Sequence, residues 1–358
     1  MRAKLALALL ALAPLPAADL PNGGNGTLYL GGRPNRIFIL DEATAKVTGE
    51  IPLKTGAPID LTLSADRKRF YLLNIAFEDF EIVDIAQRKS IDSFRLSEGN
   101  KKMRIFNYAA DPLGRYVLLM VKAATKQTDR WEIAAPVLDL YDLAQHKVVR
   151  TIPWPEGHEE GGMGMRFSPD GKLLYLFGED ILVYDTTDFK QVDKWELSRP
   201  IEDGLGRLNF GFPEDLNEEP GFYTSIFNLQ DQVQHRRIMG IARVDLAKKA
   251  VDFFPLGPAS GVGNFSLAPG RKWGYGLHSE IGKYEFWSFD LEHRKLGPHA
   301  EFAGRPRMAL RTSSNGKLLY IYQAGNTIDL YDAATFHYLR TISLDADMTT
   351  GLYVVPPQ

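Results

Sequence analysis

The sequence predicts an all-β chain folded as a seven-bladed β-propeller of four-stranded antiparallel blades, and three observations predict it. First, an aspartate recurs at the end of a short apolar run: FILDEAT at Asp41, EIVDIAQ at Asp84, DLYDLAQ at Asp142, LVYDTTD at Asp185, ARVDLAK at Asp245, WSFDLEH at Asp290 and DLYDAAT at Asp332. Successive anchors lie 43, 58, 43, 60, 45 and 42 residues apart, so the base period is in the low forties with two insertions. Four short strands repeated at that period are the signature of a propeller blade. Second, a turn recurs ahead of the same unit, as SADRKRFYLL from Ser64, DPLGRYVLLM from Asp111, SPDGKLLYLF from Ser168, APGRKWGYGL from Ala268 and SSNGKLLYIY from Ser313. Third, the first unit lacks an inner strand and the end of the chain carries a spare one.

The clearest copy of the unit spans residues 171–197, GKLLYLFGEDILVYDTTDFKQVDKWEL. Apolar runs at 173–177 and 181–184 flank a Gly-Glu-Asp turn, and their length and β-branched or aromatic content favour strands over a buried helix. Asp185 ends the second run, where its carboxylate can accept backbone N–H groups two or three residues on and hold a turn into residues 191–197. Residues 164–167 and the Ser-Pro-Asp-Gly turn supply the first strand of the meander. One copy of that turn, between Phe212 and Phe222, is degraded and longer.

At the N-terminus, Arg2 and Lys4 precede an apolar run at 5–15 and then small residues and proline, the pattern of a secretory signal peptide over residues 1–18. The run is short for a bilayer crossing. The expected mature domain is therefore 19–358, exported to the periplasm. Its first blade opens with strands at 28–31 and 36–40 and no inner strand, whereas residues 351–355, GLYVV, follow the last outer strand at 338–344. Pairing the two ends closes the ring and removes exposed sheet edges.

Composition limits the chemistry. The 358 residues are 44% apolar with a formal net charge of −3, which gives neither a nucleic-acid nor an anionic-membrane footprint. Cysteine is absent. That excludes lipoprotein modification, haem attached through C-x-x-C-H, a thiolate nucleophile and cysteine-ligated zinc or iron–sulfur clusters within this chain.

Loops joining second to third strands and blade to blade share one rim of a propeller. Insertions at 122–136 and 229–239 and long blade-to-blade loops at 155–162 and 198–206 all fall there, which marks that rim as the expected binding surface. The excess at 213–221 lies on the opposite face and reads as a solvated acidic loop. His158, His235 and His278 map to the long-loop rim with Glu159, Glu160, Glu202, Asp203, Glu280 and Trp131. A metal or hydrolytic site would need such groups to converge; exposed loops are rich in them for hydration alone, so no catalytic residue or metal site is assigned. The seven anchor aspartates read as structural, since each has the same turn to hold. The glycine-rich EGGMGM at 160–165 lacks the strand-before, helix-after setting of a phosphate loop.

With the blades laid out, the chain resembles the β subunit of bacterial quinohaemoprotein amine dehydrogenases and, more loosely, YVTN-type propellers. The stretches that carry the resemblance are YLGGRPNRIFILDEATAKVTGEIPL, FNYAADPLGRYVLLM with its insertion before PVLDLYDLAQHKVVRTI, and FYTSIFNLQDQVQHRRIMGIARVDLAKKAV. The resemblance implies a subunit without a cofactor of its own. It would dock a small subunit bearing a cysteine-derived tryptophylquinone, beside a di-haem cytochrome subunit, and help wall the amine pocket. The alternative is a stand-alone periplasmic propeller, either a ligand or protein binder or a lactonase-like hydrolase.

Overall fold

The computed structural model describes residues 21–155, 163–197, 206, 209–210, 215–304, 307–322 and 325–357. Seven antiparallel sheets form the seven blades, and no α-helix occurs among the described residues. The innermost strands, in blade order, are Tyr353–Val355, Pro58–Leu63, Lys101–Ala110, Gly164–Phe167, Asn209–Phe210, Gly263–Leu267 and Ala309–Thr312. The closing strand pairs Tyr353 with Tyr29 and Val355 with Thr27, so blade 1 is built from both ends of the chain as expected.

The ring is held by packing between blades. Second and third strands are apolar on both faces, as in Leu173–Phe177 and Ile181–Asp185, and each face meets a neighbouring sheet. Tyr71, Leu73 and Phe80 of blade 2, for example, pack on Ile105, Val117 and Leu119 of blade 3. Equivalent clusters join blades 3 and 4, 4 and 5, 5 and 6, 6 and 7, 7 and 1, and 1 and 2. Each fully buried large side chain contributes about 1.5–3 kcal/mol against exposure, so the sum lies in these interfaces.

A polar latch adds to the closure. Glu42, 1% exposed, accepts Gly26 N and Ser314 N at 2.8 Å each and the Tyr320 hydroxyl at 2.9 Å, with the Ser314 hydroxyl as a fourth donor. It ties the entering chain to blade 7. Burial and the Glu42 charge push the Tyr320 hydroxyl far above its ordinary range.

All seven anchor aspartates hold their turns. Asp41 accepts Thr44 N, Asp84 accepts Gln87 N, Asp142 accepts Gln145 N, Asp185 accepts Thr187 N, Asp245 accepts Lys248 N, Asp290 accepts His293 N and Asp332 accepts Thr335 N, all within 2.7–3.0 Å. Four residues after each aspartate the chain turns left-handed, at Ala45, Arg88, His146, Phe189, Lys249, Arg294 and Phe336, with φ between 51° and 59°. A register shift follows the turn in the third-to-fourth strand pair of six blades; in blade 5 it lies further along the pair, between Met239 and Gly240. The repeated aspartate therefore belongs to a repeated turn plus bulge.

Candidate functional site

The two rims of the ring are built differently. On the rim of the second-to-third strand turns, the insertions expected as loops are hairpin extensions. In blade 3, Tyr116–Lys126 continues outward and pairs with Trp131–Ile133, alongside a ten-residue inner strand. In blade 5, Phe222–Asp231 and Arg236–Asp245 pair along their full length and turn at Val233 and His235. Strand formers such as Val121, Ile133, Leu229 and Ile238 let both insertions continue the ladder. These hairpins carry exposed apolar side chains: Trp131 is 52% exposed, Ile133 66% and Val233 74%, and Ile281 at the blade 6 turn is 91% exposed.

The sequence-predicted polar candidates on this rim divide. His158, Glu159, Glu160, Glu202 and Asp203 lie outside the described residues. His235 is exposed at its hairpin turn. His278 is 4% exposed, with Nδ1 3.5 Å from Glu285 Oε2 and Nε2 3.3 Å from Glu280 Oε1, the latter without hydrogen-bond alignment. Glu285 also accepts Trp287 Nε1 at 2.9 Å and lies 3.3 Å from Lys283 Nζ. Burial acts to raise the Glu285 carboxyl, but these partners outweigh it and hold it low. Among the described residues no three His, Asp or Glu groups gather as a metal-holding set.

The opposite rim, where the first-to-second strand turns lie, overturns one expectation. The segment at 213–221, expected to be a solvated acidic loop, folds across the channel over its described residues, 215–221. Asp215 accepts Leu267 N at 2.8 Å and Asn217 N at 3.0 Å. Asn217 donates to Leu267 O at 2.8 Å, and Leu216 packs on the apolar cluster shared by blades 1 and 2. Glu218, its side chain 4% exposed, pairs with Arg243 at 3.0 Å, and Glu219 pairs with Arg243 and Arg271. The acids are anchors to blades 5 and 6. Burial acts to raise Glu218, but Arg243 and Thr224 hold it below its usual value. Asp215 has no such cation in contact, and burial leaves it raised against the opposing N–H of Asn217 and the charge of Arg311.

Beside this plug the channel holds a cavity of about 480 Å³. Its wall includes Asp60 and Thr62 of blade 2, Asn107 and Tyr108 of blade 3, Arg166 of blade 4, Arg311 of blade 7 and Tyr353 of blade 1, and its mouth includes the turn residues Arg67, Pro112 and Pro169. Strand alternation places these groups: Arg311 faces the channel between Leu310 and Thr312, which are buried in the sheet. Arg166 Nη1 donates to Met165 O at 2.8 Å, and the Tyr108 hydroxyl donates to Tyr71 O at 2.9 Å. Burial, then the charge of Asp60, pushes the Tyr108 hydroxyl well above its ordinary value. The cavity residues were missed in the sequence, although polar residues alternating within PIDLTL, MRF and ALRT mark strands with one face on a wet channel.

The fold defines the class, a seven-bladed β-propeller with a plugged channel. No protein-family model and no curated protein sequence matches the chain. Solved structures do match over most of its length. A functionally unknown protein from Desulfotomaculum acetoxidans DSM 771 has a TM-score of 0.57 at 13% identity, covering 94% of this chain and 100% of that one. Apo AztD from Citrobacter koseri has a TM-score of 0.54 at 11% identity over 91% and 97% of the two chains. The dihydro-haem d1 dehydrogenase NirN has 0.53 at 13% identity over 96% and 79%. At such identities the likeness is one of fold, and function has to be argued from the two rims.

Proposed function

We propose that this chain is a cofactor-free scaffold and binding subunit of a periplasmic, amine-dehydrogenase-type quinohaemoprotein complex. The carrying observation is the set of exposed apolar tips, Trp131, Ile133, Val233 and Ile281, on hairpins that project from one rim. Side chains of this kind at the ends of paired strands cost solvation in a free monomer and serve as anchors in an interface, tryptophan above all. Both long hairpins fall in stretches that carry the resemblance to the amine dehydrogenase β subunit. In this reading the quinone sits on a small subunit docked against the tips, and the c-type haem sits on a cytochrome subunit. With no cysteine, this chain supplies surface and pocket wall only.

The test is gentle isolation of the protein from its native periplasm, with the mass and visible spectrum of what accompanies it. The reading predicts an assembly with haem bands that shift or bleach on adding a primary amine, and a small subunit that stains for quinone. A colourless species of about the chain's own 40.2 kDa would reject it. A second reading, a stand-alone binder or lactonase-like hydrolase, is favoured by one observation, the buried His278 between Glu280 and Glu285. For its hydrolytic form, ester or lactone hydrolysis must be present and must be lost in His278→Ala; retention in that variant eliminates it.

A further inference from the structure

The docking surface leaves the channel on the opposite rim unused, and the channel holds a charge that the fold itself does not pair. Arg311 points from the innermost strand of blade 7 into the cavity, between buried neighbours. Among the described residues no acceptor lies within hydrogen-bonding distance of its guanidinium and no carboxylate lies within ion-pairing distance. The charge of Asp215 on the plug acts on it, but those oxygens are taken up by Leu267 N, Asn217 N and, at 3.4 Å, the Ser266 hydroxyl. A guanidinium presents five N–H donors in a planar fork. Held inside a channel without an acceptor, it is a cost to the free protein that an anion would offset.

The surroundings narrow the anion. The fork matches a carboxylate bidentately. Asp60, exposed on blade 2 and without an ion pair among the described residues, faces the same cavity, whose lining also includes Asp215, Glu218 and Glu219, so a dianion would meet further carboxylates. Asp60 also offers an acceptor to a donor group on the ligand. The volume, about 480 Å³, lies in the range of about 300–1,000 Å³ for small-molecule sites. From these groups we infer that the channel cavity binds a small organic monocarboxylate carrying a hydrogen-bond donor, its carboxylate seated on Arg311 and its donor directed to Asp60. Arg67 at the mouth adds positive charge on the path of entry. This assignment is independent of what docks on the hairpin rim.

The experiment is isothermal titration of the full exported chain with acetate, L-lactate, glycine and inorganic phosphate, repeated for Arg311→Met, Asp60→Asn and, as a distant control, Arg237→Met. Lactate or glycine should bind more tightly than acetate or phosphate. Arg311→Met should weaken that binding about tenfold or more, Asp60→Asn should reduce the preference for the donor-bearing ligands over acetate, and Arg237→Met should change nothing. Thermal melting of the free Arg311→Met chain separates a ligand role from a structural one: with no bond lost, its midpoint should equal or exceed the parent's. Binding that survives Arg311→Met, phosphate bound at least as tightly as the monocarboxylates, no binding by any of the four, or a free Arg311→Met chain that melts well below the parent would each overturn the assignment.

Discussion

The two rims of this ring spend the same strand chemistry in opposite ways. On one, hairpins in blades 3 and 5 run past the body of the sheets and end in exposed Trp131, Ile133 and Val233. On the other, each third-to-fourth strand turn is short and tied by its own aspartate, and the segment at 215–221 is drawn into the channel by Asp215, Asn217 and Glu218. Extra chain added to a pairable hairpin grows outward, because each added pair satisfies its own backbone groups. Extra chain ahead of a second strand has no partner strand and must find its bonds in the channel. In the proposed reading, the difference separates a surface for a macromolecule from a cavity for a small one.

The comparison breaks most completely if closure is lost, since both rims depend on the ring. Deleting residues 351–358 removes the strand that pairs with Thr27–Tyr29, and cooperative thermal unfolding should disappear; a mutant that still melts cooperatively near the parent temperature would show that the ring stands without it. Next in size is Glu42→Ala. It strands Gly26 N, Ser314 N and the Tyr320 hydroxyl, and urea denaturation should show a loss of about 3 kcal/mol. A loss below about 1 kcal/mol would mean that water replaces the latch.

The aspartates of the turns and Asp215 of the plug should titrate with opposite sign. Asp41, Asp142 and Asp290 are held below the usual range: hydrogen bonds from the Thr44 hydroxyl and N–H hold Asp41, the Gln145 N–H holds Asp142, and His293 outweighs burial at Asp290. Their contribution is present above the ordinary carboxylate pKa, about 3.9, and is lost as pH falls through the depressed values. Asp215 is raised by burial, so its contribution is full below that ordinary value and is lost as pH rises through the folded one. Denaturation of Asp215→Asn between pH 3 and 7 should therefore lack the decline toward neutrality that the parent carries. Identical pH profiles would place Asp215 in water.

Smaller effects sharpen the contrast. Arg88→Gly relieves a left-handed residue in an anchored turn and should raise stability by less than about 1 kcal/mol in urea titrations; a loss would mean that the side chain holds the turn. Replacing Trp131 by Ala and Ile133, Val233 and Ile281 by Ser should change stability by no more than about 0.5 kcal/mol each, because their side chains face solvent. A larger loss would assign the tips to the fold.

Much of the ring was legible in the sequence because its signals are local. Each anchor aspartate bonds N–H groups within three residues of itself, and Leu173–Phe177 is apolar on both faces because both are covered. The terminal strand was legible as a missing element at one end and a spare one at the other. The plug was not legible, since the partners of Asp215 and Asn217 lie about fifty residues away in blade 6 and an acidic stretch reads the same whether wet or bonded. Arg311 was passed over for a related reason: alternation in ALRT shows a polar face, but only the closed ring brings it into one cavity with Asp60. The histidines attracted attention for their chemistry, yet His235 and His278 come from separate hairpins, one exposed and one buried beside Glu285.

The division of labour between the rims is tested most directly by isolating assemblies from the native host with three versions of the chain: the parent, the four-tip variant, and Arg311→Met. The account predicts that the parent and Arg311→Met each co-purify with haem-bearing and quinone-staining subunits in equal yield, while the four-tip variant emerges alone and folded. An assembly that survives loss of all four tips, or that fails in Arg311→Met with the tips intact, would contradict it.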